Sequence, residues 1–112
     1  MKILHHPTTE DLQISAVLYA LSDPVRLLVA SEIRKAGEQC CGSIDVPVVK
    51  STLSHHIRTL REAGVVHVRA QGTQRHISLR TEDLEERFPG LLTTVLDAFE
   101  QSEERSKLLQ PE

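Results

Sequence analysis

Across residues 12–21 apolar side chains point in nearly every direction of a helical wheel: Leu12, Ile14, Ala16, Val17, Leu18, Tyr19, Ala20 and Leu21. Thr8 or Thr9 offers an N-cap, and Glu10 and Asp11 suit a first turn, so a helix is predicted over about 9–21. A helix apolar on more than one stripe needs cover on more than one side, and in so short a chain a second subunit is the expected cover. Ser22-Asp23-Pro24 starts a second helix, with Pro near its first position. Val25, Leu28, Val29 and Ile33 form its buried face, Arg34-Lys35 suit its C-terminal dipole, and Gly37 ends it. A short third helix is expected over about 43–46, ahead of the break at Pro47. Leu53, Ile57 and Leu60, spaced i, i+4, i+7, then mark a narrow stripe on a longer helix that Gly64 stops.

Beyond Gly64 the period changes. Val65, Val66 and Val68, and later Ile77 and Leu79, supply strand positions on either side of the polar tip Ala70-Gln71-Gly72-Thr73-Gln74. Glycine in that tip makes a positive φ easy. Thr81-Glu82-Asp83 has the form of a helix start, and Phe88-Pro89-Gly90 interrupts it. Leu91, Leu92, Val95, Leu96, Ala98 and Phe99 follow on an amphipathic helix, fading into a polar, solvated end at 101–106, for a last helix over about 88–107.

The face of the helix opposite the Leu53 stripe carries Ser51, Ser54, His55, Arg58 and Glu62, with a single acid among donors and cations. A merely solvated helix more often mixes both signs of charge. This one has the chemistry of a rod that enters a major groove and reaches phosphates and base edges. A helix followed by a basic hairpin is the layout of a winged helix-turn-helix. The predicted fold is mainly α with a small β-hairpin, in the order α-α-α-α-β-β-α. It forms one domain over 1–112, with a loose N-terminal arm at 1–7 and dimerisation helices at about 9–21 and 88–107.

The net charge of −3 disagrees with nucleic-acid binding until it is divided along the chain. Residues 1–46 carry −2, residues 47–80 carry +5, and residues 81–112 carry −6. Positive charge is concentrated where the helix and wing are placed, and the acidic tail is expected to lie away from DNA. With only three aromatic residues, the core must be built from Leu, Val, Ile and Ala. No run of about eighteen apolar residues is present, and the N-terminus lacks the apolar run of a signal peptide. The expected location is cytoplasmic, with the two cysteines reduced.

The stretches LSDPVRLLVASEIRKAGE, from residue 21, and STLSHHIRTLREAGVV, from residue 51, resemble the ArsR/SmtB bacterial repressors. Members of that family carry a "DPxRL" helix start, an "SxxSxHLxxLRxAGLV" recognition helix and a Gly-tipped wing. The resemblance runs over about 12–79 and continues into a C-terminal helix. It implies a dimer joined through first and last helices, and a roughly palindromic operator read in successive major grooves. Resemblance and helical wheel together give the recognition-helix contacts Lys50, Ser51, Thr52, Ser54, His55 and Arg58, with Arg69, Thr73, Gln74 and Arg75 from the wing. His55 and Arg58 project furthest and suit base edges; hydroxyls near the helix start suit phosphate. His56 lies near the apolar stripe and reads as a half-buried packing residue, His67 and His76 as ordinary strand residues, and Arg26 as a capping or ion-pairing residue. One departure stands out. The family places a Ser or similar N-cap where this chain has Val49, so Ser51 is expected to cap instead, moving the helix start by about two residues.

Many members of the family sense metal through a Cys-x-Cys box on the third helix or through Asp/His and His/Glu pairs on the last. Here Cys40 and Cys41 are adjacent and ahead of that helix, and the C-terminal helix has Asp97 and Glu100 but no histidine. Adjacent thiolates cannot alone complete a tetrahedral zinc site. A thiophilic metal or metalloid held with a third donor, a redox pair of lowered pKa, and two small residues without a signalling role all remain open readings of Cys40/Cys41. The cofactor is unassigned. His5-His6-Pro7 has the form of a metal-binding scrap, but two adjacent histidines on a loose terminus do not make a site.

The function that follows is a sequence-specific DNA-binding transcriptional regulator: a homodimeric repressor released from its operator by metal or metalloid, thiol oxidation or a small ligand. A protein-interaction module without an operator is the alternative, against which the basic segment 47–80 speaks. An enzyme is not expected, because no Gly-rich phosphate loop, nucleophile elbow or zinc-protease box is present.

Overall fold

A computed structural model of the chain describes residues 4–110. Its helices are α1 (Ile14–Ala20), α2 (Pro24–Ala36), α3 (Lys50–Ala63), α4 (Thr81–Arg87), α5 (Leu91–Glu100) and α6 (Glu103–Leu109). Its strands are β1 (Gln39–Cys40), β2 (Val66–Gln71) and β3 (Gln74–Leu79), joined in one antiparallel sheet of order β1-β3-β2. The mainly α winged-helix class is as predicted; the order of elements is not. Three helices precede the wing instead of four, and a third strand completes the sheet.

Helix α2 is the hub. Asp23 caps it, its carboxylate accepting from the N–H groups of Val25 at 2.9 Å and Arg26 at 3.1 Å, with Pro24 in the first turn. Its buried face, Leu28, Val29, Ala30 and Ile33, meets α3, α5, α6 and β3. Arg34 on its flank forms ion pairs with Asp97, at 2.9 Å, and with Glu100 of α5.

Helix α3 ends in a Schellman turn. The N–H of Val65 donates to the carbonyl of Leu60 at 2.9 Å and that of Gly64 to Arg61 at 3.0 Å, with Gly64 at φ +88°. A Cβ on Gly64 would stand 2.1 Å from Leu12 Cδ2, so the stop also lets the N-terminal segment pack closely across the end of the recognition helix. The wing follows at once. Val66 and Val68 face the core opposite Leu79 and Ile77, and Gly72, at φ +61°, begins the hairpin turn between Gln71 and Gln74.

Five expectations need correction. The helix predicted at 43–46 is absent: a 3-10 turn at Cys41–Ser43 leads into non-helical chain up to α3. Too few residues separate Gly42 from Pro47 for a helical nucleus, and the position before a proline disfavours the α conformation. Second, α3 starts at Lys50 with Val49 at the cap and no side-chain bond; the Leu53 N–H reaches the Val49 carbonyl at 3.0 Å, so Ser51 lies inside the helix and the expected shift does not occur.

Third, the first helix is divided into a 3-10 turn at Thr9–Asp11 and α1, because Leu12 and Gln13 are extended. Fourth, the last helix breaks at Gln101, and Ser102 caps a separate helix α6 by accepting from the Arg105 N–H at 3.2 Å; residues 101–106 are mostly exposed, as expected, but α6 folds back to pack on α2 instead of continuing α5.

Fifth, the arm at 1–7 is not loose from Leu4 onward; residues 1–3 lie outside the described residues. Arg80 donates to the Pro7 carbonyl at 2.7 Å while its Nε donates to Asp83 at 3.0 Å, and Asp83 also accepts from the Thr9 hydroxyl at 2.9 Å. Together these bonds hold the Asp83 carboxyl below its usual pKa, Arg80 contributing most.

Candidate nucleic-acid interface

The apolar stripe of α3 is buried at Leu53, Ile57, Leu60 and Ala63, which turns the opposite face outward. Lys50, Ser51, Thr52, Ser54, His55 and Arg58 are all exposed. With no side-chain cap at Val49, the first-turn N–H groups have neither an intrahelical partner nor a cap, an arrangement suited to a phosphate oxygen. Arg58 donates to Glu62 one turn on at 3.4 Å, an exposed pair of the kind that contributes little and that a phosphate can replace.

In the wing, the two faces of the hairpin separate the candidates. Arg69 and His76 are paired on the outer face, where Arg69 donates to Glu38 at 2.9 Å and to Gln71 at 2.8 Å. That bond draws the Glu38 carboxyl below its ordinary pKa. Arg75 is opposite Ala70 on the inner face, beyond the end of the core, and lines a cleft shared with Ser54 and Arg58 of α3. Thr73 and Gln74 are exposed at the tip. The fold thus brings Ser54, Arg58 and Arg75 together and sets Arg69 apart, tied to the strand edge.

Arg26 and His56 are interior to this interface. Arg26 is only 7% exposed, and its guanidinium donates to the carbonyls of Ala20 at 2.7 Å and Tyr19 at 3.3 Å, closing the C-terminal end of α1. His56 is half-buried, as its place beside the stripe predicts, and burial lowers its pKa, against the opposing pull of Asp23 and with help from Arg26. His67 stacks on His6, ring centroids 4.3 Å apart, while His6 Nε2 accepts from the Val68 N–H at 3.0 Å. Burial, and His67 beside it, lower the pKa of His6.

The cysteines are not arranged as a clamp. Cys40 lies in β1 opposite His76, and Cys41 begins the 3-10 turn. Burial and the neighbouring Cys40 push the Cys41 thiol up, opposite in direction to the lowered pKa that a redox pair needs. Among the described residues, no group of three or more His, Cys, Asp or Glu side chains is placed to hold a metal ion.

Sequence reading missed Arg61, half-buried in the same cleft as Arg58. Its signal was present: Ser54, Arg58 and Arg61 repeat the i, i+4, i+7 spacing of the apolar stripe, one residue later. Leu4 also reaches this cleft, and nothing in its local sequence marks it.

No family model matches the chain. An uncharacterized HTH-type transcriptional regulator of Bacillus subtilis, YceK, is 36% identical over 89 residues, covering 76% of this chain and 89% of that protein. An uncharacterized HTH-type transcriptional regulator of Methanocaldococcus jannaschii is 36% identical over 59 residues, or 51% of this chain and 66% of its own. Among solved structures, a possible transcriptional regulator for arsenical resistance aligns over 89% of this chain and all of its own, with TM-score 0.57 and 25% identity. An ArsR family transcriptional regulator covers 96% of this chain and all of its own, with TM-score 0.56; at 18% identity it speaks for the fold alone. Among the described residues no single helix is long and apolar enough to cross a membrane. With its recognition-helix motif, its wing and these relatives, the chain belongs to the HTH-type transcriptional regulators, on a fold shared with an ArsR family regulator.

Proposed function

We propose that the protein is a homodimeric, cytoplasmic repressor that binds a near-palindromic operator through α3 and the wing and is released by an effector. One observation carries the DNA-contact reading: Ser54 and Arg58 of the recognition helix and Arg75 of the wing line one cleft on an exposed, net positive segment. Lys50, Ser51 and Thr52 extend that contact toward phosphate at the start of the helix, and His55 and Arg58 read base edges. Thr73, Gln74 and Arg69 reach the flanking backbone, Arg69 exchanging Glu38 for phosphate.

The dimer is supported by α1, where Ile14 and Leu18, one turn apart, are 49% and 46% exposed and Tyr19 is 66% exposed. Side chains this large and apolar on one short helix fit a self-complementary interface. As effector, a thiolate-binding metalloid at Cys40/Cys41 is disfavoured by the raised pKa of Cys41.

Fluorescence anisotropy on the DNA upstream of the protein's own gene tests the reading, with a scrambled duplex beside it. Preference for the natural duplex is expected, with log affinity falling against log salt by roughly 0.9 for each phosphate contacted. Equal binding to both duplexes, or an isotherm flat in salt, would sink it in favour of a protein-interaction module.

A further inference from the structure

A half-open cleft of about 400 Å³ lies between α3, the wing and the N-terminal segment. Leu4, Ile57 and Val68 give it an apolar lining, and Arg58, Arg61 and Arg75 a charged one. None of its lining residues is acidic. Neither Arg61 nor Arg75 has an ion-pair partner among the described residues, and Arg61 Nε is buried without a hydrogen bond. Three guanidinium groups around one space repel each other, and a buried N–H without a partner is costly. Glu62 offsets part of the charge on Arg58, and an anion in the cleft would offset the charge on Arg61 and Arg75.

Volume and lining define the occupant. Clefts of a few hundred Å³ with apolar surface and a few convergent polar groups suit small molecules. A DNA phosphodiester would use the arginines but leave the Leu4, Ile57 and Val68 surface unused. The N-terminal segment that supplies Leu4 is fastened to the wing by the bond from Val68 N–H to His6, so the apolar side is a built part of the fold.

We propose that this cleft is an effector site for a small molecule with an anionic head and an apolar body, and that its occupancy lowers affinity for DNA. The head takes paired N–H donors from the guanidinium forks, as carboxylates and phosphates do. The regulatory half rests on the DNA-contact reading above, because Ser54, Arg58 and Arg75 belong to both sites. Donors turned inward to a ligand are withdrawn from phosphate and base edges, and by linkage DNA weakens the ligand by the same factor.

The test uses the full chain with phenyl phosphate and benzoate as ring-bearing anions, and inorganic phosphate and benzyl alcohol as head-only and body-only controls. At least one ring-bearing anion should raise the thermal midpoint by several degrees and weaken operator binding by roughly tenfold, and each control should do less. Whichever anion acts identifies the head as phosphate or carboxylate. Arg61→Gln should lose both responses, each read as the ratio with and without the anion in that variant, so that any change in its ligand-free DNA affinity cancels.

Should that variant fold poorly, a Cys40→Ser chain reports directly: the active anion should slow alkylation of Cys41, which lines the cleft, by iodoacetamide. No midpoint shift and no protection of Cys41 by either ring-bearing anion overturns the site, as does a full shift in a folded Arg61→Gln variant. Protection with DNA affinity unchanged overturns the regulatory half and keeps the site. Absence of DNA binding by the ligand-free protein overturns the DNA reading, while the midpoint and alkylation still decide the cleft.

Discussion

Arg26 Nη1 stands 3.2 Å from His56 Nδ1, joining the first turn of α2 to the middle of the recognition helix. Guanidinium has only donors, so His56 Nδ1 is the acceptor and the ring proton sits on Nε2, toward Asp23 Oδ2 at 4.0 Å. The same guanidinium closes α1 through the Ala20 and Tyr19 carbonyls. One side chain therefore fixes three helices, two of which set the attitude of the third toward DNA.

Arg26→Met keeps the apolar stem and removes every donor. It leaves the Ala20 carbonyl and His56 Nδ1 without their partner, a loss of about 2–3 kcal/mol. Urea unfolding should show it as a lowered midpoint at unchanged slope. A change under about 0.5 kcal/mol would mean that water replaces the guanidinium at no cost and that the arginine is not a structural tie.

The pH dependence of stability has a definite sign. Burial lowers the pKa of both His56 and His6 below the ordinary 6.5. As pH falls through that value the unfolded chain takes up protons and the folded chain does not, so the stability is fully present above about 6.5 and lost as pH falls toward the folded values. Protonation would also abolish the acceptors that face Arg26 and the Val68 N–H. Urea midpoints measured from pH 7.5 down to 5.5 should decline, and less steeply in His56→Asn, whose Oδ1 still accepts but does not titrate. Equal slopes in the two proteins would remove His56 from the account.

The recognition helix was legible because each of its signals is local: a stripe at Leu53, Ile57 and Leu60, a polar face one residue over, and a glycine where the left-handed turn falls. Asp23-Pro24 was legible for the same reason. Strand β1 was not, since two residues carry no alternation; Gln39 and Cys40 are strand only because Ile77 and His76 lie beside them. Nor was the anchoring of the N-terminal segment, whose partners Arg80, Asp83 and Arg87 are more than seventy positions away. Arg80 looks like a loop cation in sequence and is nearly buried in the fold, with a side chain 10% exposed. Local periodicity declares elements; it does not declare which distant side chain ties them.

Gly64→Ala separates the two demands at that position. A φ of +88° disfavours any L side chain, and the added Cβ would meet Leu12 Cδ2 at 2.1 Å. Strain and displacement of a buried leucine together should cost about 3 kcal/mol by chemical unfolding. Adding Leu12→Ala should recover part of the clash term, so the double variant should be more stable than the sum of the two single losses predicts. Strict additivity would show that the conformation alone, and not the contact, requires glycine.

The proposed DNA contacts divide by what each would read, and two substitutions tell them apart. Lys50 stands at the start of α3, beside N–H groups that have no cap, and the phosphate contact proposed for it would carry no sequence information. Lys50→Ala should weaken natural and scrambled duplexes alike and flatten the salt slope by about one unit per site. Arg58, one face-repeat further on and 68% exposed at its side chain, is free to leave Glu62 for a guanine edge. Arg58→Ala should weaken the natural duplex by about 1–3 kcal/mol and the scrambled one far less, narrowing the ratio between them. If Arg58→Ala instead lowers both equally, Arg58 is a phosphate contact, and base readout falls to His55 alone.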